Sequence, residues 1–140
     1  MDISLDQANR IIALALQRSA EARYQPMAVV VLDASGHTRS AQREDGASMF
    51  RIDIATGKAW ASIAMGAASR VLTQRAKDLP AIFGALAATG NGKFIPQTGA
   101  VLIKDAEGRV IGAAGASGGT GDEDEAICIA GIEAAGLEVG

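Results

Sequence analysis

The stretch GAAGASGGTGDEDEA, Gly112 to Ala126, runs small residues into a glycine-rich turn and then into four consecutive carboxylates. Thr120 followed three residues later by Glu123 is a capping-box pattern, so the spacing predicts a strand that turns directly into a helix N-terminus. Just upstream, Gly99 to Lys104 and Arg109 to Ala116 read as paired strands across Asp105-Ala106-Glu107-Gly108. The chain therefore closes on a hairpin and a helix, joined by a loop whose glycines permit positive φ and close packing.

The rest of the chain is built from the same parts. Ser4 with Gln7 is a second capping box, and Ala8, Ile11, Ile12, Ala15 and Leu16 share one face of a helix predicted over Leu5 to Arg23. Met27 to Asp33, MAVVVLD, is a β-branched run suited to a buried strand; Ala34-Ser35-Gly36-His37 turns it into a second strand ending near Arg43. Asp45-Gly46 breaks that strand, and Met49, Ile52, Ala55, Ala59 and Ile63 then recur at helical spacing up to Met65. Ser69 to Lys77 and Ala81 to Ala88 read as shorter helices separated by Leu79-Pro80, and Gly90-Asn91-Gly92 is a turn. Strands made in hairpins with helices between them predict an α+β domain, an antiparallel sheet covered by helices.

Composition bounds the function. With 140 residues, 49% of them hydrophobic and 21% charged, the chain is expected to form one folded domain over residues 1–140. A net charge of −3 gives no clustered basic face, which argues against nucleic acid as a partner. No apolar run approaches the roughly 18 residues of a membrane span. The opening MDISLDQANR lacks a signal-peptide pattern and Cys128 has no cysteine to pair with, so the expected location is cytoplasmic. Aromatics make up only 4% of the chain. Small apolar residues bury little area each, and a second copy is expected to complete the core as a homo-oligomer.

Several side chains are candidates for chemistry. Gly115 to Gly119 formally match the G-x-S-x-G nucleophile elbow, but the chain is short for an α/β-hydrolase and its one histidine, His37, precedes the serine. Ser117 and Gly118 then read as turn residues, or as part of a loop that offers backbone N–H groups to a ligand. Asp122 and Glu125, at i and i+3, share a helix face on which a hard cation is conceivable, though two carboxylates alone make a weak site. Cys128, among Ala126, Ile127 and Ile129, reads as a buried helix residue. His37, a titratable group near neutral pH after a turn glycine, reads either as solvated surface or as an acid, a base or a prosthetic-group ligand. Lys58 falls among Ile54, Ala59 and Trp60, where it either snorkels, carries a lowered pKa or pairs with a carboxylate such as Asp53 or Asp45. Arg43 at the strand end suits a carboxylate ligand, and Trp60 a flat one.

VVVLDASGH (Val29 to His37), QREDGA (Gln42 to Ala47) and IDIATGKAWAS (Ile52 to Ser62), taken with the Gly112 to Ala126 stretch, resemble the GlcG/HbpS-like family, a domain also found at the end of PduO-type proteins. The resemblance implies a profilin-like arrangement, a five-stranded antiparallel sheet between helical layers, assembled into a homo-oligomer. That assembly is seen in some relatives, and the resemblance also implies a small organic ligand, with haem the best-known candidate. The lysine of the family's D-I-A-x-x-K-A segment is matched by Lys58, with Asp53, Ile54, Ala55 and Ala59. In haem-ligating relatives a histidine can come from the N-terminal helix region; this chain has none before His37, which would have to serve. The rival expectation is a small-metabolite enzyme, an isomerase, hydratase or hydrolase acting on a carbonyl, imine or carboxylate compound. Lys58 would be its acid/base or Schiff-base amine, Arg43 its carboxylate anchor, and Asp45 or Asp124 its proton carrier.

Overall fold

The computed structural model describes residues 2–140. Its sheet is built around β1 (Ala28–Asp33) and β4 (Val110–Ser117), which pair antiparallel with Val30 opposite Gly115. Strand β2 (Thr38–Arg43) folds back on β1, β3 (Ala100–Lys104) on β4, and the two-residue β5 (Glu138–Val139) adds to β3. The order is β2-β1-β4-β3-β5, every pair antiparallel. The expected α+β architecture with five strands is the observed one.

Alternation along the central strands splits the core into two layers. Val29, Val31, Val101, Ile103, Ala114 and Ala116 face α1 (Leu5–Ala22) and α5 (Gly121–Ala134), which supply Ile11, Ile12, Ile127 and Ile132. The intervening Val30, Leu32, Leu102 and Ala113 face α2 (Phe50–Met65) through Ala55 and Ala59. Helices α3 (Ser69–Asp78) and α4 (Pro80–Thr89) extend this second layer, where Leu72, Phe83, Phe94 and Ala61 make a satellite core. Each of the buried β1 valines is worth about 1.5–3 kcal/mol against leaving it in water, which is why this β-branched run sits at the centre of the sheet. Helix α2 lies close on β4 because position 115 carries no side chain. A Cβ there would run into the Ala55 carbonyl oxygen.

Both capping boxes form as the sequence predicts, Ser4 with Gln7 and Thr120 with Glu123. Helix α1 stops at Ala22, because Arg23 adopts the left-handed conformation (φ 59°) and caps it instead of extending it. Pro80 opens α4 rather than lying outside it, as suits a residue with no N–H to contribute at the first helical position. The closing strand β5 is too short to announce itself in hydrophobic periodicity. Among the described residues, no helix is long and apolar enough to cross a membrane.

Candidate functional site

A cleft of about 560 Å³ opens between the β1–β2 turn, the outer face of α2 and the turn after α4. Gly36 and His37 come from the first, Asp53, Thr56 and Trp60 from the second, and Lys93 from the third. Three candidates from two elements, His37 from the β1–β2 turn and Asp53 and Trp60 from α2, thus share one wall system. Thr56 and Lys93 were not singled out by spacing; Lys93 follows the Gly90-Asn91-Gly92 turn, and a turn does not reveal what it faces.

The turn is held by its own aspartate. The Asp33 carboxylate accepts from the backbone N–H groups of Ser35 and His37, both at 3.0 Å. Burial pushes the Asp33 carboxyl up, but those two N–H groups, with the nearby charges of His37 and Arg39, outweigh it and leave the group below its ordinary value. The His37 side chain is 81% exposed, with Nδ1 3.9 Å from Asp33. Trp60 is half-buried and wedged between two glycines: a Cβ at Gly36 would lie 3.3 Å from its Cδ1, and one at Gly90 3.2 Å from its Cζ3. The indole therefore braces one cleft rim against the other.

Arg43 and Asp45 do not join this cleft. They line a separate depression of about 400 Å³ with Leu16, Gln42 and Glu44, and an Arg43 N–H donates to the Ala47 carbonyl, closing the β2–α2 connection.

Lys58 lies elsewhere again. Neither Asp53 nor Asp45 is its partner: the ammonium donates to Asp124 Oδ2 at 2.8 Å and to the Ala116 carbonyl at 3.0 Å, with the lysine only 5% exposed. The cause is the phase of α2. Asp53 sits on the exposed face of α2, while Lys58 points inward to the β4–α5 junction. Asp124 also accepts from the Gly119 N–H at 2.9 Å, so one buried carboxylate ties the turn to both α2 and α5. Burial pushes the Asp124 carboxyl above its ordinary value, opposed by Lys58 and Gly119. With its donors directed at a carbonyl and a carboxylate, Lys58 is not among the residues lining the cleft.

Ser117 is buried at the end of β4 and accepts from Arg51 Nη1 at 3.2 Å. Gly118 follows at φ 148°, where a Cβ would strike the Pro26 carbonyl; it is a position for glycine on both counts. The serine has no histidine beside it, since His37 lies in the other cleft. Asp122 and Glu125 face Arg70, which bridges them, so that helix face carries a salt-bridged clamp onto α3 rather than an open cation site. Among the described residues, no cluster of three or more His, Cys, Asp or Glu side chains forms. Cys128 is buried, and desolvation pushes its thiol well above the ordinary value, as expected for a core residue.

These features define an α+β protein with an open antiparallel sheet and an amphipathic cleft along the outer face of α2. The chain belongs to the family of haem degrading protein HbpS-like sequences, whose model matches residues 3–133. It is 28% identical over 134 residues to the corrinoid adenosyltransferase PduO of Citrobacter freundii, covering 96% of this chain but only 39% of that relative's length. Among solved structures, a PduOC:haem complex superimposes with a TM-score of 0.86 at 27% identity, over 100% of this chain and 98% of that one. The Klebsiella pneumoniae protein ORFY gives the same TM-score at 26% identity, over 96% of this chain and 90% of that one. HbpS itself, at 22% identity and a TM-score of 0.82 over 96% of this chain and 90% of that one, shares the fold.

Proposed function

We propose that this protein binds a small, flat organic ligand of the haem class in the cleft between the β1–β2 turn and α2. The observation that carries the reading is the convergence there of the chain's one imidazole, its one indole and the Lys93 ammonium. The donor set suits the ligand. An exposed imidazole ligates iron, a lysine pairs with a propionate carboxylate, and a braced aromatic wall covers apolar surface. A volume near 560 Å³ is within the range of about 300–1,000 Å³ usual for small-molecule sites. The PduOC:haem complex, similar over the whole length of this chain, supports the ligand class.

His37 would hold the iron from a turn rather than from α1, which has no histidine. Asp33 organises that turn through its backbone bonds and sits beside Nδ1, which leaves Nε2 as the ligating nitrogen. Lys93 and Thr56 supply the polar end of the cleft. When bound, haem would supply redox-active iron.

Titration with hemin tests the reading. Expected is a saturable shift of the Soret band at one equivalent per chain, together with quenching of Trp60, the chain's one tryptophan. In His37→Ala the absorption signature of imidazole ligation disappears. An unchanged hemin spectrum in the wild type, or the same saturable spectrum in His37→Ala, overturns this assignment.

A further inference from the structure

Arg51 is the only one of the described arginines that is not exposed, and no carboxylate lies within salt-bridge distance of it. Among the described residues its side chain makes one hydrogen bond, to Ser117 Oγ at 3.2 Å. A guanidinium has five N–H donors, and withdrawing one from water without a counter-charge is unfavourable. Asp124 is near enough to feel the charge of Arg51, but its two oxygens are taken by Lys58 and the Gly119 N–H. Asp124 is thus paired with Lys58, and the Arg51 guanidinium keeps donors that no carboxylate takes.

Two further features point the same way. Ser117 accepts from Arg51 while its own hydroxyl proton donates to none of the described residues, so an acceptor placed against both groups would receive an O–H and N–H bonds together. Immediately before Arg51, Met49 and Phe50 stand 82% and 61% exposed at a helix start that no side chain caps. Large apolar residues exposed beside an unpaired cation suit an amphiphilic anion.

We propose that Arg51 and Ser117 form a second binding site, separate from the cleft, for the carboxylate of a small organic acid whose apolar body rests on Phe50 and Met49. The guanidinium takes the two carboxylate oxygens in its planar fork and the Ser117 hydroxyl donates to one of them. None of the four residues lines the cleft, so this site stands or falls independently of haem binding.

The test is a titration of the intact chain with benzoate, with benzamide as the uncharged control, followed calorimetrically and by the NMR signal of the Arg51 Nε–H. Expected is saturable benzoate binding that moves that signal, at least tenfold weaker in Arg51→Met and several-fold weaker in Ser117→Ala, with no binding of benzamide. Ser117→Ala keeps the charge, and a melting curve matching wild type separates its loss of affinity from unfolding. The proposal is overturned if benzoate fails to saturate or leaves the Arg51 signal in place, or if Arg51→Met binds as wild type does. It is also overturned if Arg51→Met changes the sedimenting mass while wild type ignores benzoate, which would make Arg51 a subunit contact.

Discussion

Lys58 and Asp124, sixty-six residues apart in the chain, meet at 2.8 Å beneath the β4–α5 turn with side chains only 7% and 2% exposed. A buried pair of this kind is poor evidence of net stabilisation, yet removing one partner strands the other in a low-dielectric site. Lys58→Met should therefore cost about 3–5 kcal/mol, and Asp124→Asn a similar amount. The double variant Lys58→Met with Asp124→Leu should recover much of the loss. Urea unfolding of the three variants checks this, and a near-neutral Lys58→Met would show that the lysine carries its charge into solvent.

Gly118 meets two constraints at once, a φ of 148° and the Pro26 carbonyl directly where a Cβ would project. Gly118→Val should leave the chain unfolded or lower its melting temperature by well over ten degrees, a loss above about 3 kcal/mol. Gly108, with a φ of 78° but open space around it, should tolerate alanine at about 1 kcal/mol. Equal melting temperatures for the two variants would remove the steric part of the argument.

Acid should loosen the turn that presents His37. Because the folded-state value of Asp33 lies below its ordinary 3.8, its contribution is fully present above that value and is lost as the pH falls through the folded value. The melting-temperature gap between wild type and Asp33→Asn should thus be constant from pH 7 down to about pH 5 and close below pH 4. A gap that widens on acidification would reverse the assigned direction.

Self-association is expected from surface left uncovered. β2 is exposed along nearly its whole length at the sheet edge, and Leu79 and Ile82 stand 56% and 52% exposed at the α3–α4 junction. Such edges and apolar residues are normally covered. Sedimentation at micromolar concentration should give a multiple of the 14.2 kDa chain mass; a single monomeric species would show that the chain needs no second copy.

The features legible along the chain are local ones. Both helix starts with capping boxes, the β1–β2 and β3–β4 hairpins and the α+β class follow from side chains within a few residues of one another, where spacing and backbone preference decide the outcome. The family resemblance was legible for the same reason, since its motifs lie in contiguous segments. Tertiary structure alone decided the pairing of Lys58: Asp53 is nearer in sequence, but helix phase turns it to solvent, while the β4–α5 turn delivers Asp124 from the far end of the chain. It likewise brought Lys93 to His37 and Trp60, and left Arg51 beside Ser117 with no carboxylate to meet it. These relations depend on how layers stack and where loops return, and a periodicity read along one segment holds no information about either.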